Sequence, residues 1–206
     1  YERIVDIAKK VEEKIELTDV AITLPLKEII KQYGAKLFET YNQAYAPLDG
    51  FVPVDEQTEK NVLKQFATVV NKRYISVLVD KNDEVAAFGI VLPSLVKPLA
   101  KHGGKLFPTG FIGILSSIKK PKALEMALIG VKPEYKNTGI NAVVISHVMQ
   151  HIIEDGITRI ESNPMLETNY SIQQQWKFAD NEVVKKRQTY KKPIGSLLEY
   201  AEGFKD

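Results

Sequence analysis

The stretch Val131-Lys132-Pro133-Glu134-Tyr135-Lys136-Asn137-Thr138-Gly139-Ile140-Asn141-Ala142 joins an apolar run to a helical pattern, and its chemistry is that of an anion site. The first turn of a helix leaves backbone N–H groups without partners, and the aligned peptide dipoles place partial positive charge there. A diphosphate can therefore be received without side-chain charge. Gly139 lacks the Cβ that would obstruct a close approach. The other reading of the same residues is a plain strand-to-helix turn in which Gly139 serves tight packing. Upstream, Glu125 alternates with Ala127 and Ile129 on one face of the apolar run, where partial desolvation suits a carboxylate to act as a general base. A solvated strand end is its alternative. Glu161, near the end of the following strand, is a second carboxylate beside the same place, able to accept a proton or to bind a cation.

Other chemistries find less support. The chain of 206 residues has no cysteine, which excludes disulfides, thiolate zinc sites and a cysteine nucleophile, and permits a reducing compartment. His147 and His151 are four apart, but Val148, Met149 and Gln150 stand between them in place of the acidic HExxH pattern, so no metal is expected. Neither G-x-S-x-G nor G-x-x-x-x-G-K-[ST] occurs. Lys185, Lys186, Arg187, Lys191 and Lys192 cluster around a strand-like run; they read as a solvated edge, or as contacts to an anionic substrate or carrier protein. A net charge of +2 is too small to make nucleic acid the expected partner.

The elements that must position these groups follow from periodicity. Ile4, Ile7, Ala8, Val11 and Ile15 predict a first helix, and Thr18 to Leu24 a short strand. Pro25 opens a helix with an apolar stripe from Leu26 through Ile29, Ile30, Tyr33, Leu37, Phe38 and Tyr41, weakened at Gly34. Asp55 caps the next helix, whose buried side is Val62, Leu63, Phe66, Ala67 and Val70. Tyr74 to Asp80 and Val85 to Leu92 form an antiparallel hairpin across a short polar loop. Residues 93–122, interrupted by Gly103, Gly104, Pro108, Gly110, Gly113 and Pro121, carry no assignment. Ala123 to Val131 reads as a strand covered on both faces, Gly139 to Glu154 as a helix ended by Gly156, and Ile157 to Ser162 as a parallel strand. A helix over Met165 to Phe178 and a strand over Val183 to Tyr190 complete the pattern.

At the strand-to-helix junction the sequence resembles the GNAT acetyltransferase family, whose signature runs V-x-P and then [RQ]-x-x-G-x-[GA]. Val131, Pro133 and Gly139 match; Lys136 stands at the Arg/Gln position and Asn141 at the Gly/Ala position, with Ala142 one residue later. The resemblance spans about Tyr74 to Tyr190, and ESNPMLETNYSIQQQW looks like a bacterial branch of the family. It implies an α/β fold with a mixed antiparallel and parallel sheet flanked by helices. Two parallel strands, here Ala123 to Val131 and Ile157 to Ser162, would splay to form the cleft for acetyl-CoA or CoA. It also implies that Ile129, Gly130 and Val131 face the pantetheine arm, that Lys136, Asn137, Thr138, Gly139, Ile140 and Asn141 hold the pyrophosphate, and that Asn169 touches the cofactor. Many members place a tyrosine seven residues after that asparagine as the acid; here the position is Trp176, which leaves Tyr170 and Tyr190 as substitutes.

The expected function is then transfer of an acetyl or other short acyl group from acyl-CoA to a small-molecule primary amine, by direct attack in a ternary complex. Glu125, Glu161 and Tyr170 would carry the proton transfers. The alternatives are a non-catalytic CoA-binding domain and a transferase drawing a longer acyl chain from an acyl carrier protein. Residues 1–24 are expected to form an N-terminal helix and strand, with Tyr1 in place of Met suggesting the end of a longer upstream region, residues 25–192 the acyltransferase domain, and residues 193–206 a tail. No apolar run reaches the roughly 20 residues of a membrane span, and the charged first helix is not a signal peptide, so a cytoplasmic protein is expected.

Overall fold

The structure is a computed structural model that describes residues 1–176 and 179–190. The chain divides into two compact units, Tyr1–Asn163 and Pro164–Asp206. The first contains a five-stranded sheet in the order β1-β2-β3-β4-β5, made of Leu17–Asp19, Ile75–Asp80, Val85–Pro93, Leu124–Val131 and Ile160–Ser162. The first four strands pair antiparallel, and β4 and β5 pair parallel.

Helices cover both faces of this sheet. On one side α1 (Glu2–Glu12) packs on α7 (Ile140–Glu154), and Leu78, Ala86 and Ala87 of the sheet join Ala8, Val11, Ile140, Val143 and Val144 in a closed core. On the other side α3 (Leu26–Tyr45) lies over Val77, Val79, Val85 and Phe88, and α4 (Glu56–Val69) lies beside α3. The hairpin of β2 and β3 has the predicted form, and Asp55 caps α4 by accepting from the Thr58 amide.

Four expectations are corrected. The predicted strand over Thr18 to Leu24 is a strand only to Asp19, whose carboxylate accepts the Ala21 amide and starts the short helix α2 (Val20–Thr23). The apolar side of α4, expected to be buried, contains no buried residue, because it borders a cavity. In the second unit, the helix expected over Met165 to Phe178 is only α8 (Tyr170–Gln175). A turn at Glu167 and Thr168 delays its start to the Asn169 cap, whose side chain accepts from the Ile172 amide. The strand expected over Val183 to Tyr190 is irregular chain: Val183 and Val184 are exposed, and no described strand pairs with it. Phe178, Lys191, Lys192 and the tail 193–206 lie outside the described residues.

The unassigned segment between β3 and β4 folds as two helices, α5 (Val96–Lys101) and α6 (Gly110–Lys119), that pack on each other. No described helix is long and apolar enough to cross a membrane.

Candidate functional site

Strand β4 begins in full register with β5, Leu124 opposite Ile160, Glu125 opposite Glu161 and Met126 opposite Ser162, and there the parallel pairing ends. At the same point β4 carries a bulge against β3: Ile90 pairs with Leu128 and Val91 with Met126, leaving Ala127 as the extra residue. A bulge bends its strand and sharpens the local twist. Beyond it β4 has no strand partner on its outer edge among the described residues. The Asn163 side chain donates to the Ala127 carbonyl (3.4 Å), the last link across the gap.

Which backbone groups face the gap follows from the ladder. Lys132 donates to the Ala86 carbonyl, which makes that pair hydrogen-bonded, and antiparallel ladders alternate. Gly130 opposite Phe88 and Leu128 opposite Ile90 therefore direct their amides and carbonyls to β3, while Ile129 and Val131 direct theirs to the open edge. Of the three residues named for the pantetheine arm, Ile129 and Val131 thus present backbone groups on the outer edge and Gly130 presents its own to β3; a Cβ on Gly130 would strike the Phe88 ring.

The β4-to-α7 loop is anchored from beneath. The Tyr135 hydroxyl donates to Asp80 (2.8 Å) at the end of β2, and burial, followed by that bond, pushes its pKa up to about 12. Lys136, Asn137 and Thr138 are exposed, and Lys136 forms no ion pair among the described residues. Gly139 has φ +87°, a left-handed conformation that disfavours any other residue, and it forms the N-cap of α7 without a side-chain capping bond. The amides of Gly139 and Asn141 have no hydrogen-bond partner among the described residues, and that of Ile140 reaches only the Thr138 hydroxyl, at 3.4 Å. A Cβ on Gly139 would face Val11 and Ile7 of α1, so the glycine answers to packing as well as to backbone shape. The Ile140 side chain is in the core, which leaves only its backbone to meet a ligand.

Glu125 and Glu161 are cross-strand neighbours on the parallel pair. Glu125 is half-buried and accepts from the Ser94 hydroxyl through Oε1 (2.7 Å). Glu161 is held by Arg159, its neighbour two residues back, at 2.8 and 2.9 Å in a largely exposed pair. Asn169 and Tyr170 belong to the second unit, where Asn169 serves as the α8 cap and Tyr170 is 68% exposed. Trp176, in the same unit, donates to the Met165 sulfur (3.3 Å). Tyr190 is exposed and bonds Gln188. His147 is tied to Asp19 and Glu12 and His151 to Glu154, and no cluster of three metal-capable side chains occurs among the described residues.

One residue at the gap escaped the sequence reading. Tyr45, at the end of α3, donates its hydroxyl to the Ile129 carbonyl on the open edge (3.0 Å), and its ring stacks on Tyr41. Burial raises its pKa. The signal available was its place four residues beyond Tyr41 on the apolar stripe; its partner lies 84 residues away. Where the strands part, an apolar slot of about 40 Å³ opens between β4, β5 and α7, lined by Met126, Ile129, Ile145, Met149 and Ile160. A second cavity, about 190 Å³, lies between α3, α4 and the sheet.

No family model and no curated protein matches the sequence. Solved structures do match in fold. A possible acetyltransferase from Clostridium difficile 630 is 12% identical, with a TM-score of 0.54, over 87% of this chain and 98% of that one. An aminoglycoside acetyltransferase from an uncultured soil metagenomic sample, solved in complex with sisomicin, is 13% identical with a TM-score of 0.50, over 88% and 99%. The chain has the GNAT fold: a mixed sheet, antiparallel with one parallel pair, flanked by helices.

Proposed function

We propose that this protein is an N-acyltransferase that moves a short acyl group from acyl-CoA to a primary amine of a small molecule, by direct attack in a ternary complex. The observation that carries this reading is the open β4 edge beyond Ala127 beside the uncapped first turn of α7. Those two features fit the two halves of CoA, an amide-bearing arm and a diphosphate. The sisomicin complex of a protein with the same fold is in keeping with a small amine acceptor.

In this reading the amides of Gly139, Ile140 and Asn141 hold the pyrophosphate, with Lys136, Asn137 and Thr138 around it. The edge groups of Ile129 and Val131 align the pantetheine arm. Acyl-CoA supplies the activated thioester carbonyl. An edge amide of Ile129 or Val131 stabilises negative charge developing on the carbonyl oxygen, a role filled elsewhere by preorganised N–H donors. Glu125 accepts the amine proton, its Oε1 being held by Ser94. Glu161 is engaged by Arg159 and serves better to attract the cationic amine. Return of a proton to the leaving sulfur was expected of Tyr170; the bond of Tyr45 to Ile129 supports Tyr45 in that role instead.

The test is Glu125→Gln assayed with acetyl-CoA against a panel of primary amines. Loss of a positioned base lowers kcat/KM by about 10²–10⁴-fold, with acetyl-CoA affinity unchanged and Glu161→Gln acting mainly on KM for the amine. Unchanged turnover in Glu125→Gln refutes the base assignment. Absence of any thermal shift with millimolar CoA or acetyl-CoA refutes the CoA reading itself.

A further inference from the structure

The cavity between α3, α4 and the sheet belongs to no step of that reaction as acetyl transfer, and its construction is that of a binding chamber. Its walls include Leu37, Phe38 and Tyr41 from α3, Leu63 and Phe66 from α4, and Leu128 from β4. Helix α4 is amphipathic, yet none of its residues is buried. Its connection to α3 is pinned by a reciprocal pair of hydrogen bonds, the Asn42 amide group to the Val54 carbonyl (3.2 Å) and the Val54 amide to Asn42 Oδ1 (2.9 Å). The helix is thus tethered in place while its apolar side stays open to the cavity instead of collapsing on the sheet.

The chamber holds no charged side chain, and the Tyr41 phenol is the sole polar side-chain group among its lining residues. It offers no carboxylate to pair with an ammonium group. An apolar space accepts hydrocarbon, and one of about 150 Å³ is enough for a benzene ring. At about 190 Å³ this chamber has room for a chain of roughly six carbons on that scale. Its position relates it to the donor: the Leu128 side chain, on the α3 face of β4, lines the chamber. Leu128 is the residue next to Ile129, whose edge groups face the donor in the proposed function.

Resting on that acyl-CoA reading, we propose that the chamber holds the aliphatic chain of the donor's acyl group, so that the preferred donor is a medium-chain acyl-CoA of about six to eight carbons. The chain passes Leu128 and Ile90 from the strand gap and ends among Leu63, Phe66 and Ala67. The bonds made and broken are those of the parent reaction: the amine nitrogen joins the carbonyl carbon, the carbon–sulfur bond breaks, and the amine proton is passed on to the departing thiolate.

Isothermal titration of the full chain with CoA, acetyl-CoA, hexanoyl-CoA and octanoyl-CoA tests this. Burial of each methylene is worth about fourfold in affinity at most, and hexanoyl-CoA is expected to bind at least about tenfold tighter than acetyl-CoA. Ala67→Phe, which adds a ring at the α4 wall of the chamber, is expected to abolish the gain while CoA affinity stays the same. Equal affinity for acetyl-CoA and octanoyl-CoA in the unaltered protein overturns the proposal and leaves the CoA reading standing. A parallel titration with butylamine, hexylamine and octylamine identifies the other source of an apolar tail: a chain-length gain confined to the amines, and lost in Ala67→Phe, also overturns it. If neither CoA nor any acyl-CoA binds, the parent reading fails and this one with it.

Discussion

The two faces of the sheet are built to different densities. Where α1 and α7 pack on the sheet the core is tight: Gly89 has no side chain because Val144 occupies the space a Cβ would take, and Leu78, Ala86, Ala87, Val143 and Val144 are all 1% exposed or less. Beneath α4 there is a cavity, and the helix above it buries none of its residues. The closed face carries the loop and helix start proposed for the diphosphate, which need a fixed backbone. The open face keeps room for something that is not protein. Close packing makes a core sensitive to one methylene, whereas a void tolerates both loss and gain of volume.

The largest expected break in that contrast comes from truncation. Leu78→Ala should cost about 3 kcal/mol in denaturant unfolding, as a fully enclosed leucine does, and Phe66→Ala less than about 1 kcal/mol, because its ring already borders empty space. Similar losses for the two would show that α4 is packed after all. Next come the glycines. Gly89→Ala is expected to cost about 2 kcal/mol through overpacking on Val144. Gly34→Ala meets only the end of Leu63, which can swing into the cavity, so the gain in helix preference should prevail and stabilise by up to about 1 kcal/mol.

The smallest effect sharpens the closed face. His147 of α7 bridges the buried Asp19 (2.8 Å) and Glu12 of α1 (3.1 Å), and the bond to Asp19, opposed by burial, raises its pKa above the ordinary value of about 6.5. A group whose pKa is raised by folding lends its full stability below the unfolded pKa, and that contribution is lost as pH rises through the folded pKa. Melting temperature should therefore decline with pH above about 6.5, and His147→Gln should remove that slope. A slope unchanged in His147→Gln would assign it to other groups.

Much of this was legible beforehand, and the exceptions have physical causes. Alternating β-branched runs around Lys81-Asn82-Asp83-Glu84 specify a hairpin locally, so β2 and β3 could be read directly. The end of β1 could not, because Asp19 is held by Ser76, Val77 and His147, all more than 50 residues away. The helical stripe of α4 told which side turns inward but not whether anything fills the space beneath it. Residues 93–122 hid two short helices among glycines and prolines that sit largely at their ends. In the candidate site, the loop and Glu125 were visible as residue types at a junction. Tyr45 was not, since only tertiary folding brings its hydroxyl to the β4 edge.

Ala127 has a consequence for how β4 should be counted. Leu124 and Met126 face α7, and so do Ile129 and Val131, although the second pair has odd numbers and the first even. The strand changes parity at the bulge. Because ALEMALIGV is apolar almost throughout, no alternation betrays the shift. Deleting Ala127 would restore plain alternation through the whole strand, with Leu124, Met126, Ile129 and Val131 all still facing α7, and would remove the bend at the strand gap instead. Any relative aligned through this strand without allowing for that extra residue will have half its facing residues assigned to the wrong layer.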